Sequence, residues 1–143
     1  MANSAFWDAS ALVPLCVEEP LTDQLLLLYQ QYDPVIWWGT PVEIAAALAR
    51  LLRMRKLKVG EWREAREAAA RLSRWWTVIQ PWDALRDSAI GMVELYDLRS
   101  ADSLQLAAAL VWCGNRPREH VFLSADRRLR EAALMCGFDA PQL

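Results

Sequence analysis

Ser4-Ala5-Phe6-Trp7-Asp8-Ala9-Ser10-Ala11-Leu12 is the stretch on which the fold turns. The apolar run Ser4–Trp7 stops at an acid, and helix-forming residues follow at once. That reads as a buried strand, a turn and a helix. The same grammar returns downstream. Val35-Ile36-Trp37-Trp38 reads as a strand closed by Gly39, with Asp33-Pro34 as a breaker ahead of it. Thr40-Pro41 predicts a helix start, Thr40 as its N-cap and Pro41 at its first position, in a helix that runs to about Lys56. His120–Leu123 reads as a strand, and Asp126–Cys136 as a helix ended by Gly137. Between these lie a Leu-rich helix opened by Pro20, helices over Val59–Trp75, Asp83–Tyr96 and Asp102–Trp112, and a short strand over Trp76–Gln80. The tail Phe138–Leu143 is expected to add an edge strand.

Short apolar strands alternating with helices argue for a parallel sheet covered on both faces. The chain has 143 residues. A chain of that size buries roughly 68–70% of its unfolded surface, enough for one sizeable core in one domain. Apolar residue types make up 55% and charged types 24%, with 5 Gly and 7 Pro, which excludes disorder and low-complexity spacers. The longest uncharged stretch, Ser103–Asn115, falls well short of the ~20 residues of a membrane-spanning helix. Met1–Asp8 lacks the basic start of a signal peptide. Cys16, Cys113 and Cys136 are odd in number and sit in apolar contexts, so they are expected to be reduced thiols in a cytoplasmic protein. With His120 the single histidine, a structural zinc site is not expected.

The net charge of −2 is unevenly spread. Residues 50–74 carry +6 and the remainder −8. A local basic segment can meet a polyanion. It is equally an ordinary solvated helix face, since Glu61, Glu64 and Glu67 alternate with Arg63, Arg66 and Arg71.

In parallel sheets ligands bind at the carboxyl ends of the strands. Asp8 follows the first strand, and Asp126 follows Val121-Phe122-Leu123. Asp102 begins a helix that is otherwise almost wholly apolar, and Glu43 lies in the first turn of its helix. Each acid alone is explained by helix capping and the helix dipole. Capping does not explain why all four would fall on one side of one sheet. Two carboxylates ~4 Å apart at an effective dielectric of ~20 repel by about 4 kcal/mol, so such a cluster takes up protons or cations. Oxygen-only ligands favour Mg²⁺ or Mn²⁺.

These residues resemble a known family. Asp8-Ala9-Ser10-Ala11-Leu12 looks like the opening motif of PIN-domain ribonucleases, and Thr40-Pro41-Val42-Glu43 like their second. The segment from Leu98 to Ala109, with Asp102, is similar to their third and is the most specific match. Phe122-Leu123-Ser124-Ala125-Asp126, with Leu129, matches the fourth. Order and length fit the VapC-like toxins of toxin–antitoxin pairs, over nearly the whole chain. Gln105 stands where the family often has His, a difference of packing or substrate.

The resemblance implies a three-layer α/β/α sandwich and Mg²⁺- or Mn²⁺-dependent endonucleolytic cleavage of RNA. It implies Asp8, Glu43, Asp102 and Asp126 as catalytic and metal-binding residues, with Ser10 and Ser124 supporting the carboxylates. Arg50, Arg53, Arg55, Lys56, Lys58, Arg127, Arg128 and Arg130 are candidates to offset the phosphate charge, or simply surface charges. An antitoxin protein is the implied partner. The eight tryptophans, with Trp37-Trp38 and Trp75-Trp76 outside the family pattern, suggest an interface near Trp62, Trp75 and Trp76 with an antitoxin or a second copy, giving a homodimer. The competing reading is a PIN-fold module that binds RNA or a partner without cutting. Other Mg²⁺-dependent α/β proteins fit poorly. Position 10 is Ser where an aspartyl-phosphate phosphatase needs a second Asp, no Lys follows Lys58 for a receiver domain, and a Gly-rich phosphate loop is missing.

Overall fold

The computed structural model describes residues 3–143; Met1 and Ala2, part of the segment read as lacking a signal peptide, lie outside the described residues. Four parallel strands form the sheet: β1 (Asn3–Trp7), β2 (Tyr32–Trp37), β3 (Thr77–Ile79) and β4 (Val121–Leu123), in the order β3-β2-β1-β4. The chain steps outward from β1 to β2 to β3 and then returns to the far side of β1. The strand order therefore reverses between β1 and β4, the place where such sheets open a crevice.

Alternation along each strand feeds two cores. Phe6, Val35, Trp37 and Phe122 face α5 (Asp83–Leu95), α6 (Ser100–Trp112) and α7 (Arg127–Cys136). Ala5, Trp7, Ile36 and Leu123 face α1 (Ala9–Leu12), α2 (Thr22–Gln31), α3 (Thr40–Arg53) and α4 (Val59–Ser73). Both faces of the central strands are covered, which is why Ala5–Trp7, Val35–Trp37 and Val121–Leu123 read as apolar runs. The result is the expected three-layer α/β/α sandwich. Helix α6 lies deepest, with Gln105 to Ala109 buried in succession.

Several local expectations are corrected. Asp33-Pro34 does not break the chain, because β2 begins at Tyr32 and runs through both residues. Pro34 pairs only with β1, opposite Ala5, and β3 joins β2 one residue later, at Val35. A proline is tolerated where one side of a strand is still an edge. Thr40 is not the N-cap of α3; Gly39 is, and Thr40 is fully buried in the first turn. A Cβ at Gly39 would lie 2.6 Å from Trp37 Nε1, so glycine alone passes under that indole. Pro20 precedes α2 without opening it. The tail adds a single bridge, Val121 to Asp139, in place of a strand. Pro141, with no N–H, cannot carry that pairing further. Gly137 ends α7 with φ 108°, as its position after Cys136 predicts.

Candidate active site

The acids meet where the strand order reverses. Asp8 caps α1: its Oδ1 accepts from the Ala11 amide at 3.3 Å and from the Ser10 hydroxyl at 2.7 Å. Asp126 caps α7 in the same way, Oδ1 accepting from the Leu129 amide at 3.0 Å. The two turns are stitched together. Ser10 Oγ accepts from the Ala125 amide at 2.9 Å, Ser124 Oγ accepts from the Asp126 amide at 3.0 Å, and the two hydroxyls lie 3.3 Å apart. The Asp8 amide donates to the Leu123 carbonyl at 3.1 Å. The capping that explains each acid singly is thus real, and the sheet brings the capped ends to one place.

Glu43 and Asp102 come from the first turns of α3 and α6. All four carboxylates line one cleft of about 700 Å³, rimmed by Arg50, Arg99, Arg127 and Arg128. Gln105, one turn after Asp102 on α6, reaches beneath the cleft. Its Nε2 donates to Glu43 Oε2 at 2.6 Å and to Thr40 Oγ1 at 3.0 Å. Its Oε1 is buried and finds no partner among the described residues. An amide turned that way is oriented by the carboxylate, because the opposite orientation would set Oε1 against Glu43.

The electrostatics follow from burial. Asp8 is 5% exposed, and loss of water pushes its carboxyl up to about 7 against the Ser10 and Ala11 hydrogen bonds, with the charge of Glu43 adding to the rise. Glu43 is raised to about 6, first by desolvation and then by the charge of Asp102, while Gln105 works the other way. Asp102 is raised by desolvation and by the charge of Asp126. Each acid therefore feels the next across the cleft. The repulsion is offset in part at the rim, where Arg99 lowers Asp102.

The donor set fits a hard divalent cation: four carboxylates, no thiol or imidazole lining the cleft, and a buried Asp8 whose charged form lacks solvent. Among the described residues, no group of three or more His, Cys, Asp or Glu side chains is already gathered as a ligand set. Asp8 turns an oxygen to Ser10, Asp126 to Leu129 and Glu43 to Gln105. Outside the cleft, Arg130 donates to the Ala140 carbonyl at 2.9 Å and serves the tail. Arg53, Arg55, Lys56 and Lys58 do not line the cleft. Arg99 is a contributor that the sequence reading missed, and Gln105 is one whose role it did not assign. Arg99 stands three residues before Asp102, one turn away at the helix start, a spacing that could have marked it. Gln105 was noticed only as a departure from a family pattern.

The tryptophans divide. Trp7, Trp37 and Trp76 are buried, and Trp76 Nε1 donates to the Tyr29 hydroxyl at 3.2 Å. Trp62 is half-buried against the second core, whereas Trp38, Trp75 and Trp82 are exposed. The three cysteines are free thiols. Among the described residues, no helix is long and apolar enough to cross a membrane.

No protein-family model matches the sequence, and no curated protein matches it. Solved structures do match in fold. A protein of Pyrobaculum aerophilum, PAE2754, superposes with a TM-score of 0.67 at 21% identity, over 98% of this chain and 92% of that one. VapC20 of Mycobacterium tuberculosis, described as a Sarcin-Ricin loop cleaving toxin, gives 0.68 at 19% identity, over 90% of this chain and 95% of that one. A toxin–antitoxin complex from Klebsiella pneumoniae gives 0.61 at 15% identity, over 86% and 87%. Nearly end to end, then, the chain has the fold of a VapC toxin.

Proposed function

We propose that this protein is a metal-dependent endoribonuclease and the toxin of a toxin–antitoxin pair. The observation that carries the reading is the convergence of Asp8, Glu43, Asp102 and Asp126, from four separate elements, on one arginine-rimmed cleft. The fold shared with a toxin that cleaves the Sarcin-Ricin loop supports an RNA substrate for such a cleft. Asp8 and Asp102 would hold Mg²⁺ or Mn²⁺, with Asp126 completing the set and Glu43 turned to the attacking water. The ion supplies Lewis acidity and a water of lowered pKa.

The chain's own residues do the rest. Gln105 occupies Glu43 Oε2 and leaves Oε1 to accept a proton from the attacking water. A carboxyl raised to about 6 suits that role near neutral pH. Ser10 fixes the Asp8 carboxylate, and Ser124 fixes the turn that presents Asp126. Arg50, Arg99, Arg127 and Arg128 meet the phosphates that the acids alone would repel. The antitoxin would cover the apolar groove between α3 and α4, lined by Ile44, Leu48 and Trp76, and a second copy of the chain is the other candidate there. The toxin–antitoxin complex among the fold matches supports the antitoxin, and the free thiols suit the cytoplasm.

The test is cleavage of a panel of structured RNAs by the purified chain with Mg²⁺ or Mn²⁺. Asp8→Asn and Asp102→Asn should each lower the rate by at least ~100-fold. Equal residual cleavage in both variants would expose a contaminant. The reading in which the fold binds RNA without cutting draws on the ungathered carboxylates; tight binding with no turnover at any metal concentration would establish it instead.

A further inference from the structure

A second depression adjoins the cleft. It lies between the end of α5 and α7, encloses about 310 Å³, and shares Arg127 and Arg128 with the acid cleft. The two arginines are therefore the wall between the depressions. Beyond that wall the groove turns apolar: the half-buried Tyr96, Ala132, and Met135, which is 71% exposed. Tyr96 is tethered, its hydroxyl accepting from the Cys136 thiol at 3.5 Å. The volume is at the lower end of the ~300–1,000 Å³ usual for small-molecule sites.

We propose that a single-stranded RNA leaving the acid cleft crosses the Arg127–Arg128 wall with a phosphate and seats its next base in this groove, against Tyr96 and Met135. The proposal rests on the ribonuclease reading and extends it to a subsite. Charge and continuity select the occupant, since a polyanion fits a cationic wall joined directly to the cleft, and a base fits the apolar floor behind it. In the free protein both arginines are held by carboxylates. Arg127 Nε lies 3.0 Å from Glu131, and an Arg128 terminal nitrogen lies 3.6 Å from Asp97. Both pairs are solvent-exposed and hence weak, whereas a phosphate can engage a guanidinium through two parallel hydrogen bonds. Asp97 and Glu131 thus act as placeholders that RNA displaces.

Binding of a fluorescent single-stranded 12-nucleotide RNA, read by anisotropy in EDTA to prevent cleavage, tests the assignment. Asp97→Asn should bind about two- to threefold more tightly, the equivalent of one exposed ion pair. Asp87→Asn removes the same charge from α5, beside Arg86 and away from the groove, and should change affinity less. Met135→Asp, at an exposed position that leaves the core intact, should bind at least about threefold more weakly. Met135→Asp with unchanged affinity, or Asp97→Asn no tighter than Asp87→Asn, overturns the subsite. If the wild type still cleaves RNA with Mg²⁺ in that case, the ribonuclease reading survives; neither binding nor cleavage overturns both.

Discussion

Asp8 and Trp75 each sit where their chemistry is least at home, one a carboxylate 5% exposed, the other an indole 83% exposed. The carboxylate is held on several sides: a hydroxyl and an amide donate to it, and its own amide is tied to β4. Trp75 lies just before β3, and its neighbour Trp76 takes the buried place. The difference teaches how misfit residues are to be read. A buried charge leaves a trace in local sequence, because it needs nearby donors, and Ser10 and the α1 amides are those donors. An exposed aromatic needs nothing from its neighbours, so local sequence does not distinguish it from a core residue. Any surface that covers it would have to come from another molecule.

Truncation separates Trp75 from Trp76 most strongly. Trp76→Ala should cost ~3–5 kcal/mol, for it opens a cavity in the second core and strips the Tyr29 hydroxyl of its indole donor. Trp75→Ala should stay within ~0.5 kcal/mol in the isolated chain. Urea unfolding of both variants measures the contrast. A large loss from Trp75→Ala would mean that the indole is already covered in solution, by a second copy, and its concentration dependence would say so.

The buried carboxylate makes a pH prediction of unusual sign. Folding raises Asp8 from its ordinary 3.8 to about 7 through desolvation. The folded state therefore holds more protons than the unfolded state across that window. Stability falls as pH rises through it, by up to ~4 kcal/mol for this group at roughly 1.4 kcal/mol per pH unit. The metal-free protein should melt at a lower temperature at pH 8 than at pH 5. Asp8→Asn keeps an acceptor for the α1 cap and should flatten that slope while abolishing cleavage. Millimolar Mg²⁺ or Mn²⁺ should raise the melting temperature more at pH 8 than at pH 5, because protons compete for the same oxygens. A slope of the opposite sign would place Asp8 in contact with water or a cation, and the comparison with Trp75 would lose its first member.

The fold was legible because both faces of the central strands are covered, so β1, β4 and the Val35–Trp37 half of β2 show as short apolar runs. The four acids were legible for a related reason: each begins a helix, and helix starts carry local signals. The corrections arose where a tertiary neighbour overrode the local signal. Pro34 reads as a breaker until the late start of β3 is known. Thr40 reads as a cap until Gln105, sixty-five residues away in sequence, is found against it. Arg50, Arg127 and Arg128 could be proposed only within a larger basic group, and Arg99 not at all. Nothing in the local sequence distinguishes Arg127 at the cleft from Arg130, which holds the tail.

Gln105 supplies the smallest expected effect and the finest test of how the cleft is supported from beneath. Gln105→Met keeps the length and packing of the side chain while removing both N–H donors. Glu43 loses the hydrogen bond that favours its charged form, and Thr40 loses its neighbour. The buried Oε1, which has no partner among the described residues, also disappears, so the cost to stability should be partly cancelled. Activity has no such compensation. We expect kcat to fall about tenfold with KM nearly unchanged, the melting temperature to move little, and the acid limb of the pH–rate profile to shift upward. Gln105→His, which retains a ring N–H donor, should recover part of the loss. A variant that instead lowers the melting temperature sharply and leaves the pH profile in place would make Gln105 a packing residue, and Glu43 would then owe its orientation to α3 alone.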